Sequence, residues 1–228
     1  MLFFNSDIFI MDPMLSIVTI PVTPYDQNCR MLIDECTKEA VIVDPGGDVP
    51  KILETLPDAI CVSAIWITHS HIDHVSGVAE LLKQVSTPIH VVAHPEDTIN
   101  RQNLAMQSEL LQFSYSGDFE VTHDCMHGDV LTVGGHEFKV LHTPGHAIGH
   151  VSFFSSGCDN TFDAPVLIAG DALFKGSIGR TDLPGGNHQQ LLDSIRHHLF
   201  DLPAQTVVCS GHGPNTSIGV EKTSNPFF

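Results

Sequence analysis

The sequence predicts an α+β fold in which two packed β-sheets carry helices on their outer sides. Short apolar, β-branched runs bounded by Gly, Pro and Ser are typical of buried strands, and they occupy residues 40–44, 64–67, 88–94, 138–141, 150–155, 165–169 and 206–209. Apolar residues recur at helical spacing over 78–85 and 191–199, and a third helix is predicted over 100–112. Two groups of strands, each followed by a helix, indicate two sheets with the helices outside.

The charge of the chain argues against two classes of partner. Among the 228 residues, 10 Lys and Arg stand against 27 Asp and Glu, which gives a formal net charge of −17. Nucleic acids and anionic membrane surfaces are bound by clustered cations, and this sequence has no run of Lys and Arg. We therefore expect neither a nucleic acid nor a membrane as a partner. The hydrophobic content of 42% is sufficient for a sizeable core.

The cysteines and the N-terminal stretch indicate a cytoplasmic protein. No C-x-x-C pair occurs among the six cysteines, which are Cys29, Cys36, Cys61, Cys125, Cys158 and Cys209. We interpret them as reduced, mostly buried thiols. Residues 1–13 are apolar but lack the basic n-region of a signal peptide, so we expect them to be a leader that could be flexible. No apolar run approaches the roughly 18 residues of a membrane helix.

Four of the predicted strands end in residues that suit a metal ion. The run 64–67 leads through Thr68 into the stretch HSHIDH at 69–74. The runs 138–141, 165–169 and 206–209 lead in the same way into His146, Asp171 and His212. Loops held at the ends of a rigid sheet are where functional sites are usually built. We therefore expect these side chains to meet.

The stretch HSHIDH holds too many ligands for a single ion. His69 and His71 lie two residues apart and can face one side of an extended segment, whereas the adjacent Asp73 and His74 diverge. We interpret the two pairs as ligands of two different ions. The remaining strand ends would complete the set: His146 with the first pair, His212 with the second, and Asp171 between them.

The expected cofactor is therefore a pair of divalent ions. Zn²⁺ is expected first, because it takes nitrogen and oxygen ligands in nearly tetrahedral sites, with Fe or Mn as alternatives. Asp171 follows a glycine that lets the backbone approach closely, and its two carboxylate oxygens could bridge the ions. Isolated histidines are interpreted as surface or packing residues; they include His90, His94, His123 and His136. For His142 and His150, core packing is favoured over orienting a ligand.

The motifs THSHIDH, TPGH, GD and GHG, in this order, resemble the metallo-β-lactamase superfamily. The resemblance implies an αβ/βα four-layer sandwich with a dinuclear metal site at one edge of the sheets, formed by a single domain over residues 14–228. It assigns one ion to His69, His71 and His146. It assigns the other to Asp73, His74 and His212, with Asp171 bridging and Asp73 also orienting the bridging hydroxide.

The segments GDALFKGSIGRTDLPGG and GHGPNTSIGVEKTSNPFF resemble glyoxalase II, especially its short single-domain bacterial members. The resemblance implies a thioesterase, a hydroxyacylglutathione hydrolase, whose small-molecule substrate yields glutathione and a 2-hydroxy acid. In glyoxalase II a basic residue after the glycines of this block contacts the glutathione part, and Arg180 stands there. Its guanidinium could instead pair with Asp182. Longer glyoxalase II enzymes add a helical extension, whereas this sequence ends 16 residues after His212.

Other activities of similar proteins stay open. A persulfide dioxygenase shares the fold and a block like Arg180 to Asp182, but it uses a single iron. Flavodiiron proteins are disfavoured because they carry a carboxylate where His71 stands. A nuclease is disfavoured by the charge of −17. A non-catalytic metal-binding domain is disfavoured because all seven expected ligands are present.

Overall fold

The computed structural model describes residues 15–85, 87–157 and 164–228, so the expected leader at 1–13 lies outside the described residues. The strands in these ranges are β1 (Leu15–Val22), β2 (Gln27–Asp34), β3 (Glu39–Val43), β4 (Cys61–Trp66), β5 (His90–Ala93), β6 (His123–Asp124), β7 (Val130–Val133), β8 (His136–His142), β9 (Val151–Ser155), β10 (Val166–Gly170), β11 (Leu173–Phe174), β12 (Ser177–Ile178), β13 (Val207–Ser210) and β14 (Thr216–Ser217). Each of the seven apolar runs overlaps one of them.

The helices are α1 (Val49–Thr55), α2 (Ile72–Val75), α3 (Val78–Gln84), α4 (Thr98–Arg101), α5 (Leu104–Leu111), α6 (His188–Ser194) and α7 (Ile218–Ser224). A 3₁₀ turn at Pro95–Asp97 precedes α4, and a π-helical turn at Ile195–Leu199 continues α6. None of the helices in the described ranges is long and apolar enough to cross a membrane.

Two six-stranded sheets form the centre of the fold. The first has the order β1-β2-β3-β4-β5-β6, antiparallel up to β3 and parallel from β3 to β6. The second has the order β14-β13-β10-β9-β8-β7 and is antiparallel apart from the β10–β13 pair. Parallel neighbours need crossover connections, and α1 and α3 supply them between β3, β4 and β5.

Alternate residues of the central strands face two different cores. On β3, Val41 and Val43 point into the space between the sheets, while Ala40 and Ile42 point outwards. The core between the sheets includes three aromatic side chains in contact. The ring centroid of Trp66 from the first sheet lies 5.5 Å from that of Phe138 and 5.3 Å from that of Phe153, both from the second sheet. Because successive side chains of a strand point to opposite faces, the sheet contributes to one core on each of its faces.

Helices cover both outer faces. Buried residues of α1 and α3, including Ile52 and Leu81, pack on the outer face of the first sheet. Leu191 of α6 and Leu199 of the π-helical turn pack against Leu167 on the outer face of the second sheet. The layers therefore run helix, sheet, sheet, helix, which confirms the predicted fold class.

The helix predicted over 100–112 is wrong in its extent. It starts at Thr98 and is interrupted at Gln102 and Asn103, so that α4 and α5 are separate. The Asn103 side chain donates a hydrogen bond to the carbonyl of Ile99 at 2.7 Å. Asn side chains that bond the nearby backbone compete with helix formation, and of α5 only Leu104 is buried, so little packing opposes the break.

Candidate metal centre

The stretch after β4 carries four of the predicted ligands. His69 lies in the loop that leaves the strand, His71 stands directly before α2, and Asp73 and His74 are residues of α2. The short helix turns the second pair away from the first. His146, Asp171 and His212 arrive at the same place from the ends of β8, β10 and β13. The structure thus brings all seven predicted ligand residues together.

The first donor set consists of three histidines. Nitrogen atoms of His69, His71 and His146 all lie within 4.8 Å of one another. The Nε2 atoms of His69 and His146 are 3.1 Å apart. Burial, and then the neighbouring histidines, lower the pKa of His69, and burial is the largest cause that lowers the pKa of His71 to about 3. These imidazoles are therefore neutral at neutral pH, which is the form that binds a metal ion.

The second donor set mixes one carboxylate with two imidazoles. Ligand atoms of Asp73, His74 and His212 lie within 4.8 Å of one another. Asp73 Oδ2 is 3.2 Å from His212 Nε2 and 3.9 Å from His74 Nε2. Two nitrogens and an oxygen at this spacing form a ligand set that zinc accepts in proteins.

Asp171 joins the two sets. Its Oδ1 atom is 3.4 Å from His74 Nε2, and its Oδ2 atom is 3.6 Å from His146 Nε2 and 3.7 Å from His212 Nε2. Burial raises the pKa of Asp171, but the neighbouring histidines, His74 first, outweigh burial and hold this pKa well below its usual range. One ionised carboxylate therefore reaches both donor sets.

The backbone around Asp171 is too crowded for a side chain. Gly170 has a φ of +50°, and a Cβ there would come within 2.7 Å of Thr68 Oγ1 and of His150 Nε2. A Cβ on Gly211 would overlap the carboxylate of Asp171 itself. Glycine at these positions lets three strand ends close around the donors.

Hydrogen bonds to fixed oxygen atoms orient four of the histidine rings. His146 Nδ1 donates to the Arg180 carbonyl at 2.7 Å, and His212 Nδ1 donates to the Tyr25 carbonyl at 3.1 Å. A carbonyl can only accept, so the proton of each neutral ring is on Nδ1 and the lone pair of Nε2 faces the centre.

Asp44 orients the other two rings, those of His74 and His69. Its Oδ2 atom accepts from His74 Nδ1 at 3.0 Å and from Thr68 Oγ1 at 2.6 Å. Because the Thr68 hydroxyl donates to Asp44, it accepts from His69 Nδ1 at 3.1 Å. A single buried carboxylate at the end of β3 thus directs one histidine of each donor set.

The arrangement fits two divalent cations. His74 Nε2 and Asp171 Oδ1 are buried and have no hydrogen-bond partner among the described residues, although both face the centre. Unpaired buried donors and acceptors are costly and rare, and a cation between them would satisfy both. The His and Asp clusters are consistent with a binuclear metal site.

A cavity of about 470 Å³ opens on this centre. Its walls are largely apolar and include Tyr25, Ile72, Leu111, Phe174, Ile178 and Leu183. Arg180 also lines the cavity, but its guanidinium donates two hydrogen bonds to Asp182. Nε donates to Oδ1 at 2.8 Å, and Nη2 donates to Oδ2 at 2.7 Å. The side chain of Arg180 is 61% exposed, and no bond from its guanidinium reaches the ligand residues in the described part of the chain.

Sequence reasoning missed the residues that support the ligands. Asp44 is the polar residue that closes the apolar run 40–44, the same pattern that indicated the ligands, and this was the available signal. His150 is buried as expected, and its Nε2 also accepts a hydrogen bond from the backbone N–H of Asp171 at 3.0 Å. The carbonyls of Tyr25 and Arg180 carry no signal in the sequence, because every residue has a carbonyl.

Comparisons with known proteins agree with this geometry. The pattern of the metallo-β-lactamase superfamily matches residues 23–212, and the chain belongs to this superfamily. It is 33% identical to hydroxyacylglutathione hydrolase GloC of Haemophilus influenzae, over 94% of this chain and 98% of that protein.

Two solved structures are similar over nearly their whole length. The B3 metallo-β-lactamase BLEG-1 has 38% identity and a TM-score of 0.79, with 93% of this chain and 99% of that chain covered. The protein TTHA1623 in a di-iron-bound form has 31% identity and a TM-score of 0.80, with coverages of 92% and 100%. A hydroxyacylglutathione hydrolase and a metallo-β-lactamase are therefore both among the proteins to which this chain is similar.

Proposed function

We propose that this metallohydrolase cleaves thioesters in the manner of glyoxalase II, and that its substrate is an S-(2-hydroxyacyl)glutathione. The observation that carries the proposal is a pair of donor sets joined by Asp171, whose Oδ2 atom lies 3.6 Å from His146 Nε2 and 3.7 Å from His212 Nε2. The likeness to GloC supports the choice of substrate.

The residues would hold two divalent ions, with zinc proposed first. Bound there, such ions supply Lewis acidity and lower the pKa of water towards neutrality. His69, His71 and His146 form one set, and Asp73, His74 and His212 form the other, with Asp171 shared.

Asp73 is the residue that orients the attacking water. Its carboxylate lines the cavity. Burial raises the pKa of Asp73, but the neighbouring His74 and His212 together lower it more, so the carboxylate is ionised. An ionised carboxylate accepts a hydrogen bond from water and can direct its oxygen at a thioester carbonyl in the cavity.

The chain need not supply a nucleophile or a strong acid. The leaving group is a thiolate, whose conjugate acid has a pKa of about 8.5, so it departs without prior protonation. Among the described residues that line the cavity there is no serine–histidine or cysteine–histidine pair in hydrogen-bond contact. Water activated at the centre is the nucleophile that this site offers.

Arg180 is proposed to anchor a substrate carboxylate. Its present partner, Asp182, lies on the surface, and exposed ion pairs contribute little to stability. A substrate carboxylate can therefore take over the guanidinium fork. Arg180→Gln should raise KM about 10-fold at nearly unchanged kcat, because uniform binding is lost. An unchanged KM for a glutathione thioester would remove Arg180 from the substrate site.

The remaining proposals concern the partners of the protein and its location in the cell. We propose a small-molecule substrate, no nucleic-acid or membrane partner, and a cytoplasmic location. The net charge of −17 supports the absence of a nucleic-acid or membrane partner. The buried free thiols of Cys29, Cys125 and Cys209 support the last.

Metal analysis paired with substrate assays tests the function. Protein purified without chelator should carry two ions per chain and hydrolyse S-D-lactoylglutathione. The same preparation should be offered other acyl-thioesters, and a β-lactam because of the likeness to BLEG-1. One iron per chain together with oxygen uptake on glutathione persulfide would instead establish the alternative, a mononuclear-iron persulfide dioxygenase. Hydrolysis of the β-lactam alone would refute the thioesterase proposal.

A further inference from the structure

A second group of histidines lies away from the seven ligand residues of the two donor sets, which we call the dinuclear centre. His94 directly follows β5 of the first sheet, Glu96 lies in the 3₁₀ turn after it, and His142 is the last residue of β8 in the second sheet. We call these three residues the His94 cluster. Among the described residues, it is the one group of closely spaced His and carboxylate donors that shares no member with the dinuclear centre.

The donor atoms of the His94 cluster are close enough for one ion. One ligand atom from each residue lies within 4.8 Å of the other two. His142 Nε2 is 3.8 Å from Glu96 Oε2. The rings of His94 and His142 lie parallel, with an interplanar angle of 10° and centroids 4.2 Å apart. Small rotations of the rings and of the exposed Glu96 side chain would bring two nitrogens and an oxygen around a cation.

The protonation of the cluster suits a cation. His94 is 2% exposed, and burial, followed by the charge of His142, lowers its pKa. The neutral imidazole has a lone pair to give. The Glu96 carboxylate brings the negative charge that a divalent ion needs beside it.

Two hydrogen bonds compete with the ion. The N–H of Glu96 donates to His94 Nδ1 at 3.3 Å, and His142 Nε2 donates to the carbonyl of Ile148 at 3.1 Å. The guanidinium of Arg101 also lies near, donating to the carbonyl of His94 at 3.4 Å. An ion must displace both neutral hydrogen bonds, so this site should bind more weakly than the dinuclear centre.

We propose that His94, Glu96 and His142 form a third metal site, selective for borderline divalent cations such as Zn²⁺. Two imidazoles and one carboxylate are a zinc ligand set, with a fourth position left for water. The site is accessible from solvent, because His142 also lines a cavity of about 670 Å³ that contains His127, His197 and His198. The ligands come from both sheets, so a bound ion would link β5 to β8 and stabilise their packing.

The chain contains a matched control pair. His90 and His123 also form a ring contact, with centroids 4.2 Å apart, but at 77° and on the exposed surface. No third donor completes them within the same distance limit among the described residues. Loss of these two histidines should therefore leave metal binding unchanged.

Equilibrium dialysis against fixed free Zn²⁺, followed by elemental analysis, tests the proposal. Wild type should bind one ion more per chain than Glu96→Gln or His142→Gln, whereas His90→Gln/His123→Gln should match wild type. Added Zn²⁺ should raise the Tm of the wild type further than that of Glu96→Gln. Glu96 is exposed, so its variant should fold even if His142→Gln does not.

Two results would overturn the third site. One is equal zinc content in wild type and both cluster variants. The other is loss of the extra ion in His197→Gln/His198→Gln while Glu96→Gln and His142→Gln retain it, which would place the ion in the neighbouring cavity. Both outcomes are independent of thioester hydrolysis, because they count ions beyond those of the dinuclear centre.

Discussion

The dinuclear centre and the His94 cluster are both built from histidines and carboxylates, yet their hydrogen bonds differ. In the centre, protons on Nδ1 point at fixed oxygens, as for His146 on the Arg180 carbonyl and His212 on the Tyr25 carbonyl, so the Nε2 lone pairs converge. In the His94 cluster, the lone pair of His94 Nδ1 meets a backbone N–H, and His142 Nε2 donates to a carbonyl. Supporting contacts, more than residue types, separate a prepared metal site from a weak one.

Removing the shared carboxylate should have the largest effect. Asp171→Asn keeps the shape but removes the charge that both donor sets use, so kcat/KM for the thioester should fall on the order of 10³-fold, since a cation contributes several kcal/mol. Elemental analysis should show fewer than two retained ions. Asp58→Asn, on an exposed residue, is the control. Full activity in Asp171→Asn would show that the two donor sets work separately.

Removing the support behind the ligands should cost less. Asp44→Asn leaves every ligand in place but weakens the contacts to His74 and Thr68, so activity and metal affinity should fall about 10- to 100-fold. The kinetics should be measured at rising Zn²⁺ concentration, because excess metal should restore part of the loss. A variant that behaves like wild type at limiting metal would contradict the orienting role of Asp44.

Removing the ions of the dinuclear centre should lower the thermal stability of the protein. At an ion concentration 100-fold above Kd, each bound ion contributes about 2.7 kcal/mol, so stripping both ions from the centre with a chelator should lower Tm by about 10–20 °C for a chain of this size. The carboxylates of Asp73 and Asp171 then have only the neighbouring histidines as counterions. Calorimetry with and without chelator measures the shift. An unchanged Tm would mean that the centre forms without help from the ions.

The smallest effect is expected from the His94 cluster. Glu96→Gln should change thioester kcat/KM less than twofold, because the cluster shares no residue with the dinuclear centre. Steady-state kinetics at saturating metal provide the measurement. A loss of activity comparable to that of Asp44→Asn would show that the two metal regions are coupled.

Much of the fold was predictable because its determinants are local. The alternation at 40–44 sets which side chains of β3 face each core, and the superfamily that the motifs indicated is confirmed. Grouping of the seven ligands was also predictable, since the strand ends that carry them meet at one edge of the two packed sheets. The third helix was less predictable, because its break depends on the Asn103 side chain and on a helix that buries only Leu104.

The sequence by itself therefore determined seven of the fourteen described strands, the layers and the list of donors, because apolar periodicity and the residues after each run are local properties of the chain. Only the tertiary structure decided which way each donor points. Asp44 reaches His74 across neighbouring strands, and Tyr25 and Arg180 act through their carbonyls. The meeting of His94 with His142 likewise needs two different sheets. Such contacts follow from the path of the backbone. Every residue has a backbone carbonyl, so the sequence does not indicate which carbonyl will contact a histidine.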